Sequence, residues 1–427
     1  MKTHIDPPRE SWKSLCQRPV LQNDFLESAV NNILNRVRQS GDLALIQFTQ
    51  EFDKVGLGSL RVTDQEIAGA GARLSPELKT AISIAADNIR KFHASQLRSE
   101  VKVETTPGVV CWQKTIAIEK VGVYIPGGQA PLFSTVLMLG VPALIAGCRQ
   151  VILCSPPDVS GAINDSILFA ASVVGIREIF KVGGAQAIAA MAYGTATIPA
   201  VNKIFGPGNQ YVTKAKQMVN LQGTAIDIPA GPSEVMVLAD ASANPAFIAS
   251  DLLAQAEHGA DSQVVLVTTS EKVVASVAAE IERQISVLPR KSVAETALSA
   301  SLSVVLKSNR DMVDFANEYA PEHLIIQTND CEEIAEQIVN AGSIFIGAFS
   351  PESAGDYASG TNHTLPTNGY AKASGGVSLD SFVKYVTFQK LSKDGLKRLG
   401  PVVETMAAAE SLDAHKQSIS IRLRDLK

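Results

Sequence analysis

The stretch Val121-Gly-Val-Tyr-Ile125 is a short apolar run that ends in Pro126-Gly-Gly128. It predicts a buried strand followed by a turn, because proline and glycine interrupt regular structure. Apolar segments of helical length then alternate with further short strands. The predicted strands are 150–154, 178–182 and 203–205, and the predicted helices are 133–147, 162–174 and 185–193. This alternation is typical of βαβ units that build a parallel sheet.

A second block of the same texture begins near residue 234. Its predicted strands are 235–238, 264–268, 303–306 and 324–327, and its predicted helices are 245–258, 271–285 and 311–319. Asn244 and Pro245 suit the start of the first of these helices, and Gly259 suits its end. The fold class is therefore α/β with two parallel-sheet modules. In such sheets ligands bind beyond the carboxyl ends of the strands, so we expect binding sites there.

The remaining segments are predicted to flank these modules. Residues 1–22 contain three prolines and no clear period, which is typical of an arm. Amphipathic helices are expected at 25–40, where Gly41 ends the pattern, and at 78–92. A loop is expected at 369–376, and a strand-like piece and a largely helical tail are expected after Asp380.

Composition excludes several classes of function. The chain has 427 residues, which favours two or more domains. It carries a net charge of -5 with no basic run, so no nucleic-acid partner is expected.

The longest apolar stretch, 134–147, is shorter than the roughly 20 residues of a membrane span. The N-terminus lacks the apolar segment of a signal peptide. Five scattered cysteines without a C-x-x-C motif indicate reduced thiols. We therefore expect a cytoplasmic protein without a membrane partner.

Four of the six histidines lie in polar segments of the second half, each near a carboxylate or carboxamide. They are His258, His323, His363 and His415. Imidazole is the commonest metal ligand and it titrates near neutrality. The pattern therefore indicates a metal site with an acid/base pair beside it.

Each segment alone has a simpler interpretation. Gln255 and His258 are three residues apart and share one face of a helix end, but a histidine there also interacts favourably with the helix dipole. Glu322 and His323 follow a proline, which suits either proton transfer or a surface turn. The loop around Asp356 could be merely solvated. Glycine-rich turns at 183–184 and 206–208 could face phosphate, although the sequence contains no G-x-G-x-x-G fingerprint.

Taken together, eight segments in order resemble the histidinol dehydrogenase family. They are VGVYIPGG at 121–128, GGAQAIAA at 183–190, FGPGNQYV at 205–212, IPAGPSEV at 228–235, AQAEHG at 254–259, PEHL at 321–324, GDYASGTNHTLPT at 355–367, and the tail around Glu410 and His415. The resemblance implies oxidation of L-histidinol to L-histidine through an aldehyde, with two NAD and one water. It also implies an incomplete Rossmann-like sheet for the first module.

The resemblance assigns a role to individual residues. It implies one zinc ion per subunit, bound by Gln255, His258, Asp356 and His415. It implies that His323 is the general base and that Glu322 activates water. The residues implied to contact the substrate are Ser233, Gln255, His258, His323, Asp356, His363, Glu410 and His415. The residues implied to bind NAD are Tyr124, Gln186 and Asn209.

The resemblance also implies a homodimer in which the C-terminal tail completes the partner's site. The expected domains are an arm at 1–22, a metal and substrate domain at 23–123 and 234–377, an NAD domain at 124–233, and the tail at 378–427. Three rival hypotheses are a zinc-dependent alcohol dehydrogenase for another small polyol or amino alcohol, a zinc-dependent hydrolase, and a catalytically silent metal-binding protein.

Overall fold

The computed structural model describes residues 1–18, 25–127, 131–228 and 231–426. Three sheets organise this part of the chain: a parallel sheet of five strands, a parallel sheet of six strands and an antiparallel sheet of three strands. Residues 19–22 of the predicted arm and Gly128 of the predicted turn lie outside the described residues.

The strands and helices follow one another along the chain as follows. The strands are β1 (Lys2–Ile5), β2 (Lys102–Thr106), β3 (Val109–Ala117), β4 (Lys120–Tyr124), β5 (Gln150–Ser155), β6 (Glu178–Lys181), β7 (Lys203–Phe205), β8 (Ala225–Ile226), β9 (Glu234–Ala239), β10 (Gln263–Thr268), β11 (Leu302–Val305), β12 (His323–Gln327), β13 (Ser343–Ile346) and β14 (Val383–Leu391). The helices are α1 (Arg9–Leu15), α2 (Leu26–Ser40), α3 (Asp42–Phe48), α4 (Asp64–Arg73), α5 (Pro76–Ala94), α6 (Phe133–Ala146), α7 (Asp165–Val173), α8 (Gly184–Tyr193), α9 (Gln210–Asn220), α10 (Pro245–Ala256), α11 (Glu271–Ile285), α12 (Lys291–Ser299), α13 (Asn309–Tyr319), α14 (Cys331–Ala335), α15 (Glu352–Tyr357), α16 (Lys393–Ala409) and α17 (Asp413–Asp425). A π-helical turn at Thr49–Asp53 extends α3, and short 3-10 turns occur at Tyr370–Lys372 and Leu379–Phe382.

The five-stranded sheet has the order β6-β5-β4-β7-β8 and is parallel throughout. The apolar run at 121–125 supplies its central strand, β4, in which Val121 and Val123 are fully buried. Helices α4–α7 cover one face, and α2, α3, α8 and α9 cover the other. The alternation predicted for residues 121–205 is therefore confirmed, with element ends within three residues of those expected.

The six-stranded sheet has the order β1-β11-β10-β9-β12-β13 and is also parallel throughout. Every residue of its inner strand β9 is buried, which explains the continuous apolar run from Val235 to Ala239. Helix α10 begins where the Asn244 side chain accepts a hydrogen bond from the Ala246 N–H at 2.9 Å. It ends at Ala256, two residues before the predicted end.

The N-terminal segment, predicted to be an arm, contains a short strand and a helix that pack against the six-stranded sheet and α13. Strand β1 pairs with β11 at the edge of the six-stranded sheet, with Lys2 opposite Leu302. Helix α1 buries Trp12, whose ring packs edge-on against Phe315 at a centroid distance of 5.4 Å. Strand β1 has only four residues and is stabilised by pairing with β11, which is distant in sequence. A local sequence pattern therefore cannot predict it.

The packing of helices α2–α5 also differs from the expected grouping. Residues 23–123 were expected to belong with 234–377, yet these helices form the two cores of the five-stranded sheet. Their apolar faces pack against α6–α9, because those helices carry the complementary buried surfaces. The domain boundaries otherwise stay a prediction.

The three-stranded sheet has the order β14-β3-β2 and is antiparallel. It leads into α16 and α17, which pack against each other, while α17 buries none of its side chains. The strand and helical tail expected after Asp380 are therefore present. Within the described ranges, no helix combines the length and apolar character needed to cross a bilayer. All five cysteines are unpaired.

Candidate functional site

A cavity of about 140 Å³ lies where the two parallel sheets face each other. From the five-stranded sheet it is lined by residues that follow strands, namely Leu132 after β4, Gly206 after β7 and Asp227 after β8. From the six-stranded sheet it is lined by the amino end of β12 and by residues at the ends of α10 and α15. The cavity therefore combines the carboxyl edge of one sheet with the amino edge of the other.

Of the nine residues predicted to be catalytic, metal-binding or substrate-binding, seven line this cavity. They are Ser233, Gln255, His258, Glu322, His323, Asp356 and His363. The structure does not bring the other two, Glu410 and His415, into it. Both are exposed on the C-terminal tail.

Three acidic and imidazole side chains form a cluster suited to a cation. One ligand atom from each of His258, Glu352 and Asp356 lies within 4.8 Å of the other two. Glu352 and Asp356 are four residues apart on α15, so both side chains leave the same face of that helix. The C-terminus of α10 also points here and contributes a partial negative charge. Sequence reasoning missed Glu352.

Gln255 joins this cluster through its amide group. In the amide orientation that satisfies both ends, the nitrogen donates a hydrogen bond to Glu352 Oε1 and the oxygen lies 3.3 Å from the Glu234 backbone nitrogen. The Gln255 side chain is buried. It therefore stands beside the carboxylate that the sequence did not predict.

His323 is buried among carboxylates. Its Nδ1–H donates to the Glu234 carbonyl oxygen at 3.1 Å, and its Nε2 lies 3.5 Å from Asp356 Oδ1. Burial disfavours the imidazolium, but the nearby carboxylates of Glu352 and Glu322 outweigh it and raise the pKa of His323 well above its ordinary value.

Burial also changes the pKa values of the carboxyl groups around His323. Burial raises the pKa of Glu322 to about 7, and Oε2 of this residue accepts a hydrogen bond from the Glu234 N–H at 2.8 Å. Burial raises the pKa of Glu352 to about 8. Burial opposes the charge of Asp356 as well, but its contact with His323 keeps the pKa of Asp356 below the ordinary value. A carboxyl group with a pKa near 7 can exchange protons at neutral pH.

His363 connects the two sheets. Its Nδ1–H donates to the Asp356 carbonyl oxygen at 2.8 Å, and its Nε2 lies 3.0 Å from the hydroxyl oxygen of Thr135. Because the Asp356 carbonyl oxygen can only accept, Nδ1 carries the proton, and Nε2 of the neutral ring accepts the Thr135 hydroxyl proton; burial lowers the pKa of His363, which favours this neutral form. Thr135 belongs to the first turn of α6 and had no signal in the sequence.

A second cleft of about 1010 Å³ opens beside the first, at the carboxyl edge of the five-stranded sheet. The predicted cofactor residues Tyr124, Gln186 and Asn209 all line it. The Tyr124 hydroxyl accepts the Gly184 N–H at 3.1 Å, and burial raises the pKa of Tyr124 to about 12. Asn209 caps α9, since its Oδ1 accepts backbone N–H groups at 3.0 and 3.1 Å.

The two cavities adjoin each other. Pro131 lines the large cleft and Leu132 the small cavity, while Pro207 lines the small cavity and Asn209 the large cleft. Gly206 has a φ of 122°, and a Cβ atom there would lie 2.0 Å from the Tyr124 carbonyl oxygen. Only glycine fits this turn between the cavities.

Sequence reasoning missed the far wall of the large cleft. This wall comes from α2 and the π-helical turn, and it includes Arg36 and Asp53. Asp53 Oδ2 is buried without a hydrogen-bond partner in the described chain. A π-helical turn is often found at a functional site, but it is set by packing and leaves no sequence motif.

Two parallel α/β units around a large cleft and a cavity of imidazoles and carboxylates define an α/β enzyme. The histidinol dehydrogenase family model matches residues 16–423. The chain is 58% identical to histidinol dehydrogenase from Bacteroides fragilis over 427 residues, which is 100% of both chains. It is 52% identical to that of Salmonella typhimurium over 421 residues, covering 98% of this chain and 96% of the relative.

A solved structure gives the same result. The structure of histidinol dehydrogenase from Elizabethkingia anophelis matches with a TM-score of 0.98 at 55% identity, covering 100% of this chain and 98% of the other. The chain therefore belongs to the histidinol dehydrogenase family. It is an oxidoreductase of histidine biosynthesis.

Proposed function

We propose that the protein oxidises L-histidinol to L-histidine through the aldehyde, consuming two NAD and one water and yielding two NADH. The observation that carries this proposal is the junction of the two cavities. A proton-exchanging cluster with a cation-binding geometry adjoins a cleft large enough for a dinucleotide. This junction suits a hydride transfer between a small polar substrate and a nicotinamide.

The small cavity fits a divalent metal ion. Ligand atoms of His258, Glu352 and Asp356 lie within 4.8 Å of one another, and the buried Glu352 Oε2 has no hydrogen-bond partner in the described chain. Gln255, His258 and Asp356 would hold one zinc ion per subunit, with His415 of the partner subunit as the fourth ligand. Histidine nitrogen and aspartate oxygen are usual zinc ligands, whereas the amide oxygen of Gln255 is a weaker and less usual donor. When bound, zinc supplies a Lewis-acidic anchor for the substrate's imidazole and amine nitrogens, and NAD supplies a hydride acceptor.

His323 acts as the general base. It accepts the hydroxyl proton of the alcohol as the alcohol becomes the aldehyde, and later the hydroxyl proton of the hydrate as the hydrate becomes the acid. Its Nδ1–H is held by a backbone carbonyl, which leaves Nε2 free to take a proton. The carboxylates that raise its pKa would be neutralised by a cation, so the pKa of His323 would be lower in the loaded enzyme.

Glu322 activates water between the two oxidations. It removes a proton from the water whose oxygen adds to the aldehyde carbon. Its raised pKa of about 7 makes it a stronger base than an exposed carboxylate while half of it stays ionised at neutrality. Ser233 and His363 line the same cavity and would contact the substrate.

The cofactor occupies the large cleft. Tyr124, Gln186 and Asn209 would bind NAD, and the amino ends of α8 and α9 would face its phosphates. The carboxyl edge of a parallel sheet is the usual place for such a ligand. The absent glycine fingerprint is consistent with an incomplete Rossmann-like sheet.

The enzyme acts as a homodimer in which the tail of one chain completes the other's site. Glu410 and His415 are exposed in the single chain, away from the cavity that needs them. Exposed apolar side chains accompany them along the tail, with Val402 52%, Met406 60% and Ile421 55% exposed. Such a surface suits a partner subunit. We also place the enzyme in the cytoplasm, as its biosynthetic role implies.

One assay tests the proposal. The purified protein is loaded with zinc and given a limiting amount of L-histidinol with excess NAD, and NADH absorbance is followed to completion. We expect two NADH per histidinol, loss of the rate on adding a chelator and recovery with zinc. No absorbance rise would contradict the function, and one NADH per histidinol would contradict the second oxidation.

A further inference from the structure

Arg18, in the N-terminal segment, makes a buried ion pair with the first residue of β9. Its Nε and Nη2 donate to the two carboxylate oxygens of Glu234 at 2.9 and 2.8 Å. The side chains are only 10% and 2% exposed. The guanidinium also lies 3.6 Å from the ring centroid of Tyr319. A bidentate, stacked arginine of this kind fixes the orientation of its partner as well as its charge.

The backbone of Glu234 holds the acid/base pair. Its N–H donates to Glu322 Oε2 at 2.8 Å, and its carbonyl oxygen accepts the Nδ1–H of His323 at 3.1 Å. Any shift of Glu234 therefore moves the hydrogen-bond partner of both groups at once. Glu234 itself points its side chain away from them, toward Arg18.

Arg18 also supports the turn that precedes the pair. Its Nη2 donates to the Ala320 carbonyl oxygen at 3.3 Å. Ala320 has a φ of 54°, in the left-handed region that alanine rarely adopts. This strained residue ends α13 directly before Pro321, so its conformation aims Glu322 and His323 into the cavity.

A third segment converges on the same carboxylate. The Asn368 N–H donates to Glu234 Oε1 at 2.7 Å, and the preceding residues Thr364, Leu365 and Thr367 line the cavity. Arg18 thus holds one carboxylate that ties together the amino end of β9 and a cavity loop. Removing the guanidinium would leave that carboxylate buried without a counter-charge, and such a charge is expected to move or to admit water.

We propose that Arg18 is a positioning residue for Glu322 and His323, acting through Glu234 from outside the cavity. The inference rests on the proposed roles of these two residues. It assigns a function to the N-terminal segment. It also predicts a loss of turnover without a loss of cofactor binding, since Arg18 touches neither cavity.

The test compares Arg18→Gln, Arg18→Lys and a control, Arg9→Gln. Arg9 lies in the same segment and pairs with Asp311 and Asp314, but it is 56% exposed and does not reach Glu234. We expect Arg18→Gln to lower kcat about 10- to 100-fold, because a hydrogen-bonded charge pair is lost, while KM for NAD changes less than twofold. Arg18→Lys should recover only part of kcat, and Arg9→Gln should match the wild type.

Two further measurements distinguish a loss of positioning from a loss of folding. Guanidinium at millimolar concentration should restore part of the turnover of Arg18→Ala, which a globally misfolded variant would not show. The imidazole ¹⁵N shifts of His323 should report a protected Nδ1–H in the wild type and an exchanging one in Arg18→Gln, whether or not the protein turns over.

The outcomes separate the inference from the proposed function. A wild type that produces no NADH overturns the proposed function, and the ¹⁵N shifts then still decide the role of Arg18. Folded Arg18→Gln with wild-type kcat and an intact Nδ1–H signal overturns the inference alone. A loss confined to KM for NAD overturns it as well.

Discussion

The two parallel sheets meet the small cavity with opposite edges. The five-stranded sheet presents its carboxyl edge, where α8 and α9 begin, and the six-stranded sheet presents its amino edge, where α10 ends. Helix amino ends carry partial positive charge and helix carboxyl ends carry partial negative charge. One edge therefore suits the phosphates of a dinucleotide, while the other suits a metal cation.

The usual position of ligands in parallel α/β sheets holds for the five-stranded sheet and not for the six-stranded sheet. Ligands of parallel α/β sheets usually lie beyond the carboxyl ends of the strands, and the large cleft conforms to that rule. His323 and Glu234 are instead the first residues of β12 and β9. Substitutions at the amino edge should therefore affect metal binding and chemistry, and substitutions at the carboxyl edge should affect the cofactor.

The largest expected effect comes from the acid/base pair at the amino edge. His323→Asn should slow oxidation of the alcohol by about 10²- to 10⁴-fold, since it removes the proton acceptor. Glu322→Gln should slow oxidation of the aldehyde more than that of the alcohol. Stopped-flow rates on histidinol and on histidinal separate the two steps. An unchanged rate on histidinol for His323→Asn, or equal losses on histidinol and histidinal for Glu322→Gln, would refute the assigned roles.

The pH dependence of the free energy of unfolding tests whether burial raises the pKa of Glu352 at the amino edge of the six-stranded sheet. The folded pKa of Glu352, about 8, exceeds the ordinary value of 4.5, so the folded protein holds a proton that the unfolded chain has lost. This contribution to stability is complete below the ordinary pKa and disappears as pH rises through 8. The free energy of unfolding of metal-free protein should therefore already be falling with pH at neutrality and should continue to fall up to about pH 8, by at most about 1.4 kcal/mol per pH unit for each proton involved, and this contribution should level off above pH 8.

The matched variants for this measurement are Glu352→Gln and Glu51→Gln. Glu352→Gln should flatten the dependence in urea unfolding, while Glu51→Gln, in the exposed wall of the cofactor cleft, should leave it unchanged. The lowered pKa of His363 does not interfere, because this ring is neutral in both states above pH 7. An unchanged slope for Glu352→Gln would show that burial does not raise the pKa of this carboxyl group.

A smaller effect is expected at the carboxyl edge. Asp53 has a buried oxygen in the large cleft with no hydrogen-bond partner among the described residues, so a hydroxyl of the proposed cofactor would find an acceptor there. Asp53→Asn should raise KM for NAD about 3- to 10-fold and leave KM for histidinol and zinc content unchanged. Initial-rate kinetics against both substrates provide the check. A change in zinc content would contradict the prediction that substitutions at the carboxyl edge affect only the cofactor.

The smallest effect is expected at the contact between Thr135 and His363, where the two sheet edges meet. Thr135→Val removes the hydroxyl that binds His363 Nε2, which should raise KM for histidinol about 2- to 5-fold. Thr135→Ser keeps the hydroxyl and serves as the control. If both variants behave alike, packing and not the hydrogen bond holds His363.

The parts of the fold that the sequence predicts are those with strong local patterns. The runs that form β4 and β9 are apolar along their whole length, and α10 has a clear start at Asn244, so these elements were found. The antiparallel strands β2 and β3 and the edge strand β1 are largely exposed or very short. Strands β1 and β3 pair with β11 and β14, which are distant in sequence, and β2 is added to the three-stranded sheet by a hairpin with β3.

The site shows the same division. Histidine-bearing segments could be recognised by their composition and order, so seven of the predicted residues meet in one cavity. Glu352 was missed, although its spacing of four residues from Asp356 offered a signal once a helix is assumed there. Thr135 and Arg18 had no local signal, because each acts across the interface between segments far apart in the chain.

The most direct test is a crystal structure of the protein with zinc, histidinol and NAD. We predict an ion held at the amino edge by Gln255, His258, Asp356 and the partner's His415, with the substrate's alcohol carbon between His323 and the nicotinamide. An ion bound elsewhere, or a nicotinamide remote from His323, would contradict the proposed division of labour between the two sheet edges.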